Sequence, residues 1–334
     1  MIDEKLLREL LDAFGPSGRE GGAAAVIERH LESCCDKIWS DSLGNLYALR
    51  RGTSGKKIML TAHMDQIGLM VSDIDEKGFV YVSRIGGVSA PLSAAREVVF
   101  QNGVRGVTYY GGREKKAGEV EMDDLYVDIG VDSRTEAEAK VSVGDMAVFA
   151  SEFVDLGTTL SGRAMDNRIS CAALIRAMQE MKSSHDVYAV FTVQEEVGLR
   201  GAKAAGETVV PDVAINIDVT ATGDMPDAPR LNMKLGGGPA VKAHDGSVIV
   251  PACVRQFIKT AAEKADISVQ DEVLLSGGTD TGAIQRSGTG VLAGGISVPC
   301  RYIHTPVETV NKNDVEKTVK LICACCEQTE LPEA

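Results

Sequence analysis

Two histidines and five acidic residues stand where strands or helices are expected to begin or end. His63 and Asp65 lie in Leu60-Thr-Ala-His-Met-Asp65, and Asp166 in Ala164-Met-Asp-Asn-Arg168. Glu195 and Glu196 are adjacent in Thr192-Val-Gln-Glu-Glu-Val-Gly198. Asp218 lies in Ile215-Asn-Ile-Asp-Val-Thr220 and His304 in Tyr302-Ile-His-Thr-Pro306. Imidazoles and carboxylates with no nearby cysteine make a nitrogen and oxygen donor set. Such a set suits Zn, Co or Mn, and two-metal hydrolysis in particular. One carboxylate can bridge two ions about 3.5–4 Å apart, and a separate, unligated carboxylate is then needed as general base.

Each position also has an ordinary reading. His63 and Asp65 share a strand face, so the carboxylate can hold the second ring nitrogen of a metal-bound histidine; the alternative is a surface pair. Glu195 and Glu196 follow an apolar strand, where two unpaired carboxylates are costly to bury. A turn there would aim one at a metal and the other at substrate. Asp166 alone is a good helix N-cap, and His304 alone is a structural histidine. Their joint occurrence argues for a site. Ser276-Gly-Gly-Thr-Asp280 reads equally as a substrate wall, an anion nest or a plain helix start. No Gly-x-Ser-x-Gly elbow occurs, and Cys171 and Cys300 lack a nucleophile's setting, which argues against a covalent hydrolase.

The surrounding elements explain how such residues would meet. Leu6, Leu7, Leu10, Leu11 and Phe14 have helical spacing, stopped by Pro16. Ser17-Gly-Arg-Glu20 reads as a capping box for a second helix reaching about Leu31. A strand pair is expected over Lys37 to Leu49, then a buried strand from Lys57 to Ala62 with His63 just past its end. From Ile67 to Ser161 short alternating runs are separated by turns such as Tyr110-Gly-Gly-Arg113, the pattern of a small β-barrel or sandwich. Beyond Asp166, helix alternates with strand. Val187 to Val193 runs into Glu195, and Val213 to Ile217 runs into Asp218. Helices are expected at Ile169 to Met181, Pro251 to Lys264 and Asp314 to Glu327.

The predicted fold is therefore α/β: a mostly parallel sheet covered by helices on both faces, with an inserted small β-barrel. Residues 1–66 and 162–334 form the discontinuous α/β domain, and 67–161 form the insert. Ligands of open α/β sheets bind outside the carboxyl ends of the strands, where His63, Glu195 and Asp218 are expected.

Thirty-five basic against 48 acidic residues leave a charge of -13, which disfavours nucleic acid and anionic membranes as partners. The eight cysteines show no disulfide framework and suggest a reducing compartment. The N-terminus carries acidic residues at the start of an amphipathic helix rather than a signal sequence, and no apolar run is long enough to span a bilayer. A cytoplasmic location follows as the expectation.

The motifs together resemble the M42 family of metallo-aminopeptidases. The matching stretches are Ala13-Phe-Gly-Pro-Ser-Gly18, Thr61-Ala-His-Met-Asp-Gln-Ile-Gly68, Arg163-Ala-Met-Asp-Asn-Arg168 and Val193-Gln-Glu-Glu-Val-Gly198. Ile217-Asp-Val-Thr220, Gly277-Gly-Thr-Asp280 and Ser297-Val-Pro-Cys-Arg-Tyr-Ile-His-Thr-Pro306 follow in family order. The resemblance implies that His63 and Asp218 hold one divalent metal, Glu196 and His304 a second, and that Asp166 bridges them. It makes Glu195 the general base and Asp65 the residue that orients His63. It implies Zn, Co or Mn as cofactor, short peptides as substrates, and an insert that builds a homo-oligomer, often a twelve-subunit tetrahedral shell. Gln285 stands where family members often carry a histidine, a departure bearing on the substrate pocket. The same ligands would also serve a carboxypeptidase or N-deacylase, and some family members are labelled endoglucanase.

Overall fold

The computed structural model describes residues 3–111 and 115–333. Helices α1 (Glu4–Asp12) and α2 (Gly21–Leu31) precede strands β1 (Lys37–Ser40), β2 (Leu46–Arg50) and β3 (Lys57–His63). The chain then leaves this layer for β4 (Gly68–Ile74), β5 (Val80–Ile85), α3 (Ala90–Ser93), β6 (Glu97–Phe100), β7 (Arg105–Tyr110), β8 (Leu125–Asp128), α4 (Arg134–Glu138) and β9 (Met146–Phe149). It returns through β10 (Val154–Asp155), β11 (Thr159–Gly162), α5 (Met165–Glu180), β12 (Asp186–Thr192), α6 (Arg200–Val209), β13 (Val213–Ala221) and β14 (Ala240–His244). It ends with α7 (Ala252–Lys264), β15 (Gln270–Val273), α8 (Asp280–Gln285), β16 (Ala293–Arg301), β17 (Glu308–Asn311) and α9 (Lys312–Glu327).

Two sheets result. The larger runs β1-β2-β12-β3-β13-β16-β17-β11-β10, with β14 on β16 and β15 on β14. Its centre is parallel: β3 pairs with β12 and β13, and β13 with β16. Antiparallel strands extend it at both ends. The smaller sheet closes as a barrel in the order β4-β5-β8-β7-β6-β9. Its own core includes Leu69, Val80, Val98, Leu125, Val127 and Phe149. The short β10 and β11 belong to the large sheet. The turn expected at Tyr110 to Arg113 falls partly outside the described residues, since Gly112 and Arg113 do.

Side-chain alternation explains the helix layers. Successive strand residues point to opposite faces. Leu46, Ala48, Ile58, Leu60 and Ala62 join the core shared with α1, α2, α5, α7 and α9. Tyr47, Met59, Val190 and Ala214 point the other way, against Ala202, Ala205 and Val209 of α6 and Ala283 and Ile284 of α8. Each fully buried leucine or isoleucine contributes about 1.5–3 kcal/mol, so both layers are firmly seated. No helix among the described residues is long and apolar enough to cross a membrane.

Three local expectations need correction. Ser17 and Glu20 do not form a capping box: α2 begins at Gly21, and the Ser17 hydroxyl is drawn instead to the buried carboxylate of Asp65, 2.6 Å away. Glu20 accepts the N–H groups of Gly18 and Gln194. His63 is the last residue of β3 rather than one beyond it. Asp218 lies inside β13, because that strand continues to pair with β16 as far as Ala221 opposite Cys300. The pairing of β13 with β3 stops at Asn216 opposite Thr61, so the two strands part where His63 and Asp218 project.

Candidate metal centre

The parting of β3 and β13, the end of β12 and two irregular segments bring all seven candidate residues together. β12 ends at Thr192, opposite His63, and the chain turns at Gln194, which has a left-handed φ of 56°. That turn brings Glu195 and Glu196 back over His63. Asp166 sits in a break at the start of α5, with φ/ψ of -75° and 105°. It is not an N-cap. Its two carboxylate oxygens face two imidazoles, those of His63 and His304. His304 adopts a left-handed φ of 60° between β16 and β17.

The distances group these side chains in two sets. His63 Nε2 lies 3.1 Å from Asp166 Oδ1 and 3.6 Å from Asp218 Oδ1. His304 Nε2 lies 3.4 Å from Asp166 Oδ2 and 3.1 Å from Glu196 Oε2. The two oxygens of Asp166 thus face opposite histidines. Ligand atoms 2.0–2.2 Å from one tetrahedral ion stand roughly 3.3–3.5 Å from each other, so these separations match the edges of two coordination shells. Donor atoms of His63, Glu195 and Asp218 lie within 4.8 Å of one another, as do those of Asp166, Glu196 and His304.

Two further observations fit metal ions. Among the described residues Glu196 Oε1 is buried without a hydrogen-bond partner, and Asp166 Oδ1 has only the His63 ring beside it, at 3.1 Å. Leaving such groups unmet is costly unless a cation takes them up. The cluster also demands positive charge. Burial opposes a charged His63, yet the negative charge of Glu195 and the carboxylates of Asp166, Asp218 and Asp65 hold its proton well above the ordinary histidine range. Burial likewise opposes charge on His304, but Asp166 and Glu196 push it up to about 11. Burial would raise Asp166, but the two imidazoles keep its carboxyl well below the usual range. Divalent ions would displace these ring protons.

The remaining groups hold this arrangement. His63 Nδ1 lies 3.2 Å from the backbone oxygen of Asp65 and 3.4 Å from its Oδ1. Nδ1 is therefore occupied and Nε2 is left for a metal. Burial raises Glu195 well above the usual carboxylate range, and nearby Asp218, Asp280 and Glu196 add to the effect against His63. That is the setting of a proton acceptor tuned upward. Cys171 donates to the backbone oxygen of His63, and burial pushes its thiol up to about 12. It is no nucleophile.

A cavity of about 450 Å³ opens onto the cluster. Leu199, Val219, Ala221, Leu274 and Ile303 give it an apolar wall, and Gly277, Gly278 and Thr279 line it too. Of the three readings of Ser276 to Asp280, the helix start holds, since α8 begins at Asp280 with Thr279 as its cap position, and Gly277 to Thr279 line the cavity as well. Asp280 lies behind it, wholly buried, accepting from the Thr192 hydroxyl and leaving Oδ1 unpartnered. Gln285 does not line the cavity; its amide donates to the backbone oxygen of Ile249. The departure at Gln285 therefore leaves the pocket wall untouched.

Sequence reasoning missed several supports. Ser17 was disguised as a helix cap. Gly86 and Gly87, just after β5 of the barrel, pack against Glu196 and His304, and two glycines read only as a turn. Glu308 accepts the backbone N–H groups of Asp166 and His304, and no periodic pattern marks it.

An α/β sheet with imidazoles and carboxylates gathered at the ends of its parallel strands is the framework of a metal-dependent hydrolase. The chain belongs to the M42 glutamyl aminopeptidase family, whose profile matches residues 44–321. It is 35% identical to the lysyl aminopeptidase of Pyrococcus furiosus, over 98% of each chain. The solved aminopeptidase of Desulfurococcus kamchatkensis is 37% identical and superposes with a TM-score of 0.94, covering 97% of this chain and 94% of that one. The TET1 peptidase of Pyrococcus horikoshii, which can assemble into a tetrahedron or a large octahedral shell, is 34% identical with a TM-score of 0.88, covering 97% and 99%.

Proposed function

We propose that this protein is a two-metal aminopeptidase that removes residues from the N-termini of short peptides. His63 and Asp218 would hold one ion, Glu196 and His304 the other, with Asp166 between them. Zn or Co fits this donor set, as does Mn. Bound divalent ions supply Lewis-acid polarisation of the scissile carbonyl and make a water acidic enough to attack near neutral pH. Glu195 accepts the proton of that water as its oxygen adds to the carbonyl carbon. As the C–N bond breaks, Glu195 returns the proton to the leaving amine nitrogen.

The observation that carries the aminopeptidase reading over a carboxypeptidase is the charge of the cavity wall. Asp166, Glu195, Glu196, Asp218 and Asp245 line it, and no arginine or lysine does among the described residues. A substrate carboxylate would want a basic fork. The neighbouring arginines are engaged elsewhere: Arg163 with Leu11 and Phe149 carbonyls, Arg168 with Leu10 and Gly15 carbonyls, and Arg301 with Asp224. A substrate ammonium finds acceptors there instead. An endoglucanase needs a carboxylate pair and leaves the histidines without a task.

We further assign self-association to residues 67–161 and expect a homo-oligomer, up to a dodecamer. Exposed Val107, Tyr109 and Val143 in this segment supply apolar surface. A cytoplasmic setting fits the eight free cysteines.

The deciding experiment compares a short peptide with its N-acetylated and C-amidated forms, with and without chelator. The free and amidated peptides should be trimmed from the N-terminus, and acetylation or chelation should nearly abolish cleavage. Equal cleavage of the acetylated form, or first release of the C-terminal residue, would overturn the assignment.

A further inference from the structure

Glu308 is the first residue of β17 and is almost wholly buried. Its two carboxylate oxygens are spent on two different segments. Oε2 accepts the backbone N–H of Asp166 at 2.9 Å, and Oε1 accepts that of His304 at 2.8 Å. The two segments are distant in sequence, and both are irregular where Glu308 grips them. Asp166 has a non-helical ψ at the start of α5, and His304 has a positive φ. Neither N–H can therefore find its partner in a regular helix or strand, and an unmet buried N–H is costly. One side chain satisfies both.

β17 is well placed for this task. It pairs with β11, where Gly162 stands opposite Glu308, and with β16, where Arg301 stands opposite Thr309. The strand is thus clamped between the chain that leads into Asp166 and the chain that leads into His304. A carboxylate at its first position fixes the spacing of those two loops.

We propose that Glu308 is a positioning residue for the metal centre, locking the bridging Asp166 and the terminal ligand His304 at a fixed separation. This rests on the two-ion reading above. In that reading, the ion between Glu196 and His304 has two of its three side chains anchored through Glu308. The ion between His63 and Asp218 has only the shared Asp166 so anchored. Loss of Glu308 should therefore weaken the two ions unequally. Partners that orient metal ligands typically contribute about 10–100-fold in metal affinity.

The test is a Co(II) titration of metal-free wild type and Glu308→Gln, followed by visible absorption and by metal analysis. Glutamine keeps the shape but turns an –NH2 toward one of the two N–H donors. Wild type should take up two ions per chain; if it does not, the two-ion reading fails whatever Glu308 does. Glu308→Gln should keep the first ion, bind the second about tenfold or more weakly, and show an altered visible spectrum when fully loaded. Circular dichroism of the metal-free forms should coincide. Should Glu308→Gln not fold, Glu308→Asp replaces it; it keeps the carboxyl group but is one methylene too short to reach both segments, and the same unequal loss is expected. Wild-type affinity for both ions in a folded variant, equal weakening of both, or failure of both variants to fold would overturn the positioning role.

Discussion

Asp65 accepts the backbone N–H of Glu195 at 3.0 Å through Oδ1. Its Oδ2 accepts the N–H of Glu196 at 3.2 Å and the hydroxyl of Ser17 at 2.6 Å. The sequence suggests one strand face shared by His63 and Asp65, but β3 ends at His63 and Asp65 lies beyond it. The fold gives the same carboxylate a second task, which is to hold the turn carrying both glutamates. Burial alone would raise Asp65, but His63, Ser17 and these N–H groups together keep its carboxyl below the usual range. A single anion thus fixes His63 and Glu195 relative to each other.

That sharing predicts a graded series. Asp65→Asn keeps the shape but presents an –NH2 to donors, so it should lower kcat/KM by about 10–100-fold. Ser17→Ala removes one hydrogen bond of the set and should cost less, on the order of tenfold or below. Steady-state kinetics of both variants at full metal loading makes the comparison. A Ser17→Ala loss as large as that of Asp65→Asn would show that Asp65 does not act through the glutamate turn.

Glu195 and Glu196 are neighbours in sequence with different surroundings. Glu196 Oε2 meets His304, whereas Glu195 groups with His63 and Asp218. Glu195→Gln should reduce kcat by about 10²–10⁴-fold, the usual contribution of a positioned base, with metal content unchanged. Glu196→Gln should lose metal. Kinetics paired with metal analysis reads both, and the opposite pattern would exchange the two roles.

Gly87 leaves no room for a side chain. A Cβ there would collide with Nδ1 of His304. His304 is hemmed in by Asp166 and Glu196 on its other ring nitrogen, so the ring cannot retreat without leaving these carboxylates. Gly87→Ala should therefore cost the Glu196–His304 ion and at least about tenfold in activity, in line with the 1–3 kcal/mol of an overpacked site. Gly111→Ala, where a Cβ meets nothing within 4 Å among the described residues, is the control. Equal metal content in the two variants would mean that the segment after β5 does not confine His304.

The candidate site was legible in sequence where polar residues follow regular structure. Val187 to Val193 and Lys57 to Ala62 are apolar runs of strand length, so polar residues at their ends stood out as Glu195 and His63. The supports were not legible, because their tasks are set by tertiary neighbours. Ser17 fits a helix cap as well as it fits Asp65. Glu308 lies in a strand of only four residues, Glu308–Asn311, too short for alternation to register. β16 runs on through Gly294, Gly295 and Pro299, residue types that usually interrupt a strand. Gly294 is there because a Cβ would press on Val254 of α7, and Gly295 because it would crowd Lys242. β14 was missed because Lys242 looks like a surface residue. It is fully buried, paired with Glu272 and with Asp245 at 3.1 Å.

The last prediction concerns the residue removed. The cavity wall combines Leu199, Val219, Ala221, Leu274 and Ile303 with five carboxylates. Asp245 is already committed, accepting from Ser247, Val248, Thr279 and Lys242, so it offers little to a cationic side chain. An apolar substrate side chain can bury against the wall at roughly 25 cal/mol per Å². An acidic one would enter beside carboxylates with no arginine or lysine lining the cavity among the described residues. Two divalent ions would offset four of the five negative charges, and the negative charge left over still disfavours an acidic side chain. Leucyl reporters should therefore be cleaved at least about tenfold faster, in kcat/KM, than glutamyl or aspartyl ones, even though the family carries a glutamyl name. The difference should narrow as ionic strength rises, because the repulsion is partly screened while the apolar burial is not. A panel of aminoacyl reporters at low and high salt measures it. A preference for glutamyl substrate at both salt levels would show that some cation outside this wall recognises the side chain.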